Sequence, residues 1–157
     1  YKGQGTTSDA YHMTAPRPDG SGAQRAMQQA VNEAGITPAQ VDYINAHGTA
    51  TAANDSAEAQ AIARLFGTSG RLKVSSTKGM TGHLLGAAGA IEAVATIGAL
   101  QTGQLPVNVG VTHQDPDCPV TLVTKTNRTV AATYALSNSF GFGGHNAVIA
   151  FKKWVNA

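Results

Sequence analysis

The chain has 157 residues, 11 Lys and Arg against 9 Asp and Glu, 42% hydrophobic and 13% charged residues, and one cysteine. That is one domain's worth of chain with enough apolar residues for a core, and its charge is well below the roughly 25% of an ordinary soluble domain, which points to extensive burial, in part against a partner surface. A formal charge of +2, with no Lys/Arg run and no aromatic stacking platform, argues against a nucleic-acid partner. The lone Cys118 excludes an internal disulfide framework and a cysteine-based zinc ribbon, and it fits a reducing, cytoplasmic setting. The chain opens polar over Tyr1–Asp9, with no signal-peptide pattern, and does not begin with methionine, as a piece of a longer protein would not.

In chain order, Tyr1–Pro18 reads as the end of a strand followed by a loop rich in Gly, Ser and Pro. Gly20–Ala34 is a helix with Ala26, Met27, Ala30 and Val31 on one face, stopped at Gly35. Thr37–Gln40 is a turn, and Val41–Ala46 a strand ending at His47. After the small-residue loop Gly48–Asn54, Asp55 with Glu58 three positions on reads as a capping box for a helix over Ser56–Phe66, broken by Gly67–Gly70. Val74–Ser76 is a short strand, Thr77–His83 a polar glycine-rich loop, and Leu84–Leu100 an apolar run interrupted by Glu92 alone. That run nears the length of a membrane span, but its Ala and Gly content and Glu92 favour a buried soluble helix, so no span is expected. Gln101–Pro119 is irregular, with three prolines. Val120–Thr124, Ala132–Asn138 and Ala147–Lys152 read as strands, Gly141–Gly144 as a tight turn, and Trp154 as a late anchor. Helices alternate with strands before a strand-rich end, the pattern of an α/β domain with helices covering a mixed sheet.

Three loops follow strand ends: His47–Thr51, Lys78–His83 and Phe140–Gly144. In α/β sheets such loops gather at the carboxyl edge, so two histidines and a lysine converge there, next to a helix start that offers unpaired N–H groups. These are acid/base and oxyanion components. The nucleophile is missing. No G-x-S-x-G elbow, phosphate loop or H-x-x-x-H spacing occurs, and Asp115 and Asp117 would raise the Cys118 thiol pKa. Read without context, Lys78 is equally a solvated side chain, His83 a cap, Thr49 and Thr51 turn formers, and Phe142 plain core.

Four segments carry a more specific signal: Ser8-Asp9-Ala10-Tyr11-His12-Met13, Asn45-Ala46-His47-Gly48-Thr49-Ala50-Thr51, Ser75-Ser76-Thr77-Lys78 continuing to Gly82-His83-Leu84-Leu85-Gly86-Ala87-Ala88-Gly89, and Asn138-Ser139-Phe140-Gly141-Phe142-Gly143-Gly144. Together, in this order and over nearly the whole chain, they resemble the β-ketoacyl-[acyl-carrier-protein] synthases, above all those of type II fatty-acid elongation. The resemblance implies a thiolase-like fold of five layers, α-β-α-β-α, with residues 1–157 as its C-terminal half. The family's nucleophilic cysteine lies in the N-terminal half, absent from this chain.

The resemblance further implies a decarboxylative condensation of an acyl thioester with malonyl-acyl carrier protein, giving a β-ketoacyl carrier protein. His47 and His83 would bind the malonyl thioester oxygen, Lys78 would orient His83, and Phe142 would gate the site and lend its backbone N–H to an oxyanion hole. Thr49 and Thr51 would meet the pantetheine arm, with Phe140, Gly141 and Gly143 lining the same substrate path. Glu92, with Asn45, Ser137 and Asn138, would either hold a structural monovalent cation or link to Lys78; no other cofactor is implied. The partners would be acyl carrier protein bearing phosphopantetheine thioesters and a second complete subunit in a homodimer. The half chain alone would be inactive. Alternatives are a non-catalytic chain-length-factor-like partner subunit and a fragment of a polyketide ketosynthase. One departure stands out: Asn54-Asp55, where the family more often has Gly-Asp, a turn that asparagine tolerates.

Overall fold

A computed structural model describes residues 1–155. Its centre is a five-stranded mixed sheet in the order β1-β5-β4-β2-β3, formed by β1 (Gly3–Ser8), β2 (Tyr43–Asn45), β3 (Lys73–Ser75), β4 (Tyr134–Gly141) and β5 (His145–Lys152). β1, β5 and β4 pair antiparallel, while β2 lies parallel to both β4 and β3. Consequently β2, β3 and β4 all end at one edge, and the loops that leave them meet there.

Helices α1 (Ser21–Glu33) and α2 (Ala52–Phe66) pack on one face. The buried set of α1, Ala23, Ala26, Met27, Ala30 and Val31, falls at the three- and four-residue spacing of one helix face and packs with Ile44, Ile62, Leu136 and Val148. The helix reaches β1 closely because the strand has no side chain in the way: a Cβ on Gly5 would stand 2.0 Å from the Ala26 carbonyl oxygen. On the other face α4 (Ala88–Thr102) buries Ala99 and Leu100 against Tyr43, Ala135 and Phe151. Alternation along β2 and β4 divides the two cores: Ile44 and Leu136 point one way, Tyr43 and Ala135 the other.

The structure departs from the sequence expectations at several points. α2 starts at Ala52, four residues before Ser56, and Thr51 at its N-cap makes no side-chain capping bond. Asp55 and Glu58 are therefore inside the helix, not a capping box; so is Asn54, expected in a turn, whose Nδ2 donates to Asp55 at 3.1 Å. Within the expected loop Thr77–His83, Lys78–Thr81 forms a single helical turn, α3. Val120–Thr124 joins the sheet edge only by a bridge between Val74 and Leu122. Trp154 is 74% exposed and anchors no core.

The largest departure is α4. Residues Leu85–Ala87 form a 3-10 turn before it, and only Ala88, Glu92, Thr96, Ala99 and Leu100 of the helix are buried. Ile91, Val94 and Ile97, three residues apart, are exposed, so the expected buried helix has an apolar outer face. By length and composition Leu85–Thr102 would suffice to cross a membrane. Here one side of it lies on the sheet and carries a carboxylate, Glu92, matched by a lysine.

Replacing Gly5 by alanine forces the strand away from α1. The expected loss is about 1–3 kcal/mol, the range for overpacking a filled interior, read from the urea unfolding midpoint; an unchanged midpoint would show that the approach of α1 to β1 needs no glycine.

Candidate active site

At the carboxyl edge, β2 delivers His47, β3 delivers Lys78 and His83, and β4 delivers Phe140. The rings of His47 and His83 meet edge to face, with centroids 5.4 Å apart and an interplanar angle of 82°. Phe140 packs against His47 at 5.7 Å. His47 is buried, and its Nδ1 has no hydrogen-bond partner among the described residues. His83 is exposed. Its Nδ1 accepts the Leu85 N–H at 3.2 Å, which requires that nitrogen to be unprotonated. In neutral His83 the proton therefore sits on Nε2, leaving an N–H donor.

Lys78 sits in the first turn of α3 and is 9% exposed; its Nζ forms an ion pair with Glu92 on α4. This resolves one of the two expected roles of Glu92. A buried carboxylate in an apolar helix is costly unless paired and hydrogen-bonded, and Lys78 supplies the pairing. Burial foremost, then the Lys78 cation and His83, push the His47 pKa from 6.5 down to about 3, which holds its ring neutral.

The other expected residues fall into three groups. Thr49 and Thr51 share a hydroxyl–hydroxyl bond of 3.0 Å at the start of α2. Phe142 is 77% exposed at the tip of the β4–β5 hairpin, so it is not core. Gly141 ends β4, and Gly143 donates its N–H to the Met13 carbonyl at 2.7 Å, tying the hairpin to the segment after β1. Three of the four residues expected around a cation share the α4 side of the sheet: Asn45 Oδ1, Glu92 Oε2 and Ser137 Oγ are buried oxygens without a partner among the described residues. Asn45 and Ser137 lie side by side in register, and Asn45 Nδ2 donates to the Glu92 carbonyl at 3.2 Å. Such a set of hard oxygens fits a cation. Asn138 is the exception. Its side chain points to the opposite face, where Nδ2 donates to Glu58 at 3.0 Å, because successive strand residues alternate sides.

The residue that sequence reasoning misplaced is Glu58. It is 3% exposed, and its carboxylate accepts the backbone N–H groups of His47 (2.9 Å) and Gly48 (3.0 Å). The signal was present in the sequence as an acidic residue on the buried face of α2, where a solvent-facing cap has no reason to be. Of the remaining histidines, His12 organises its own loop by accepting the Thr14 and Ala15 N–H groups at 3.1 Å. His145 is exposed at the start of β5, and His113 lines a cavity of about 290 Å³ with Gly48, Ser76, Asn108 and Cys118. Neither His47 nor His83 lines that cavity. Burial foremost, then Asp115 and the other acids, raises the Cys118 thiol pKa, so it is no activated nucleophile.

The depressed pKa of His47 has a pH signature. Below about pH 6.5 the unfolded histidine binds a proton that the folded one refuses, so this contribution to stability is complete above that pH and is lost as pH falls toward 3. In nitrogen-15 NMR of the folded protein, the His47 ring is expected to stay neutral from about pH 8 down to 5, across the range where an ordinary histidine titrates. A midpoint near 6.5 would contradict the burial and the Lys78 field.

Residues 1–112 match the family described as "Beta-ketoacyl synthase, C-terminal domain". The chain is 50% identical over 153 residues to 3-oxoacyl-[acyl-carrier-protein] synthase 2 of Staphylococcus aureus (strain COL), an alignment that takes in 97% of this chain and 37% of that protein. A beta-ketoacyl synthase from Burkholderia phymatum STM815 superposes with a TM-score of 0.92 at 40% identity, covering 98% of this chain and 37% of the other. A type II polyketide ketosynthase bound to its acyl-carrier protein and the hexaketide superposes equally well, at TM-score 0.92 and 35% identity over 98% and 38% of the two chains. The chain thus spans little more than a third of the length of the relatives it matches. With the motifs, the mixed sheet and the paired histidines in one place, it belongs to the beta-ketoacyl synthase family, whose C-terminal domain it carries.

Proposed function

We propose that this chain supplies the His47, His83 and Lys78 half of a decarboxylative condensing site in fatty-acid elongation, completed by a nucleophilic cysteine from an N-terminal half. The observation that carries this reading is the edge-to-face pair of His47 and His83, one buried and neutral, the other presenting an Nε2–H donor. In the reaction, the cysteine holds an acyl chain as a thioester. The malonyl group on acyl carrier protein loses carbon dioxide, and the bonding pair of the broken C–C bond becomes an enolate on the thioester. The enolate carbon attacks the acyl carbonyl, forms the new C–C bond and expels the cysteine thiolate. The two imidazole N–H groups stabilise the enolate oxygen where its charge develops. A neutral His47 ring suits that role, since a donor is needed without a full proton transfer.

Lys78, fixed on Glu92, sets the start of the segment that carries His83 and keeps a positive field on His47. Thr49 and Thr51 offer hydroxyls for a pantetheine arm, and Phe142, exposed on its hairpin, is free to gate access, with Phe140, Gly141 and Gly143 along the path. Asn45, Glu92 and Ser137 would hold a monovalent cation, which would satisfy their free oxygens beside the Lys78–Glu92 pair. The N-terminal half would cover the apolar face of α4 at Ile91, Val94 and Ile97. The presence of all three of His47, Lys78 and His83 favours the enzyme over a chain-length-factor-like subunit. The similarity to a synthase 2 favours fatty-acid elongation over a polyketide pathway. The enzyme so read would work as a homodimer of complete subunits in the cytoplasm.

In the complete enzyme, His83→Ala is expected to slow malonyl decarboxylation about a hundred- to a thousandfold, the cost of one oxyanion donor, while acylation of the cysteine continues. Carbon dioxide release and acyl-enzyme formation measure the two steps separately. Decarboxylation at the wild-type rate would remove His83 from the mechanism.

A further inference from the structure

The cavity of about 290 Å³ beside Cys118 has no part in the chemistry proposed above. Its walls are ordered. One is α2, through Asp55, Glu58, Ala59 and Ile62, which fall at the three-, four- and seven-residue spacing of a single helix face. Facing it is the segment 108–122, with Val109, Val120 and Leu122, and between them lies Val74 of β3. The segment is pinned at several points. Gln114 Nε2 donates to the Cys118 and Val120 carbonyls, both at 2.7 Å, and Gln60 Nε2 on α2 donates to the Asp117 carbonyl at 3.1 Å. At the sheet edge, the Val74 N–H donates to the Thr121 carbonyl at 2.9 Å and the Val123 N–H to the Val74 carbonyl at 2.9 Å.

Apolar side chains line most of this space, and the charges among them have one sign. Asp55, Glu58 and Asp115 line the cavity, and no Lys or Arg does among the described residues. Glu58 is committed to the N–H groups of His47 and Gly48. Asp55 and Asp115 are less engaged. Asp55 Oδ1 accepts Asn54 Nδ2 at 3.1 Å, and Asp115 Oδ1 accepts the Asp117 N–H at 2.9 Å, which leaves the second oxygen of each for another donor. The two acids stand on opposite walls, yet their fields overlap inside. Burial raises the Cys118 thiol pKa most, and after it come Asp115, Asp55, Asp117 and Glu58. A carboxylate or phosphate ligand would meet like charge from both walls. A metal ion fits poorly too, since no group of three or more His, Cys, Asp and Glu side chains is placed to hold one among the described residues.

We propose that this cavity is a binding site for a small amphipathic cation, a primary ammonium on an apolar body, with the body against Ala59, Ile62 and Val120 and the ammonium taken by the second oxygens of Asp55 and Asp115. The volume is near the lower end of the roughly 300–1,000 Å³ of small-molecule sites, so the ligand is small. Apolar walls with a few polar groups at one place are the usual make-up of such a site: the walls hold the body, and the charged groups orient it. Hydrogen bonds from an ammonium to a carboxylate are stronger than those between neutral groups, so the acids set the choice of ligand.

The test titrates the complete enzyme with n-hexylammonium, and in parallel with n-hexanol and hexanoate, which share its chain and differ in charge. Calorimetry gives the affinity, and the methyl resonance of Ala59 on the α2 wall reports the place. The expected result is that n-hexylammonium binds and shifts that resonance, n-hexanol binds about ten- to a hundredfold more weakly, and hexanoate leaves the resonance unmoved. Asp55→Asn and Asp115→Asn each keep an oxygen for the bond now accepted there, so neither strips the fold of a contact. Each is expected to weaken n-hexylammonium about tenfold or more and to leave n-hexanol unchanged. Ala59→Leu, which fills the space from α2, should abolish binding of both. Equal affinity for the three probes would overturn the proposal. So would the absence of n-hexylammonium binding, an Ala59 methyl that does not respond to it, or an affinity that Asp55→Asn and Asp115→Asn leave as in the wild type. Should Ala59→Leu fail to fold, the two asparagine variants and the Ala59 resonance decide.

Discussion

Glu92 lies 2% exposed in the middle of a helix that is otherwise mostly alanine, glycine and aliphatic side chains. An ionised carboxylate so placed is several kilocalories per mole out of balance unless a cation comes to it. Lys78 comes from the loop after β3, and the pair ties that loop to α4. Much else follows. The loop cannot lift from the sheet without stranding two charges, so the segment leading to His83 starts from a fixed point. Asn45 bridges to the Glu92 carbonyl, tying β2 to the same spot, and Thr96 Oγ1 donates back to that carbonyl at 2.7 Å. The ion pair is thus where the sheet, α4 and the histidine loops meet. Removing either partner alone would cost about 3–5 kcal/mol, the usual figure for stranding a buried charge.

The buried ion pair, the neutral His47 and the buried Glu58 carboxylate share one electrostatic design. The Lys78 charge disfavours protonation of His47, and burial does so more strongly. Glu58 also sits in the interior, and burial raises its pKa. Its contacts, N–H groups from His47, Gly48, Asn54 and Asn138, are those a carboxylate needs there. Polar groups on both faces of the sheet are in this way committed to holding a small patch of loop at its edge.

The sequence allowed the architecture to be read where periodicity and punctuation are strong. Ala26, Met27, Ala30 and Val31 placed α1, and the Gly141–Gly144 turn placed the β4–β5 hairpin. The convergence of His47, Lys78 and His83 followed from the loops after strand ends. Three things were not legible, each for a physical reason. The start of α2 was hidden because Thr51-Ala52-Ala53 carries no side chain that caps it, and Asp55 with Glu58 imitates a cap whose carboxylate the His47 loop takes instead. The exposed side of α4 could not be told from its buried side, since apolar residues surround the helix and only Glu92 and Thr96 mark the inner face. The set around Glu92 needed strand register, since only the pairing of β2 with β4 sets Ser137 beside Asn45, while alternation along β4 turns Asn138 to the other face.

Under the proposed function, the apolar outer face of α4 and the paired histidine donors belong to one half of a working unit. The direct measurement is carbon dioxide release from malonyl-acyl carrier protein by this chain, by a matching N-terminal half, and by the two expressed together. The account expects release, with β-ketoacyl product, only from the combined halves. Condensation by this chain unaided would contradict it, and so would a folded, acylated pair that releases no carbon dioxide.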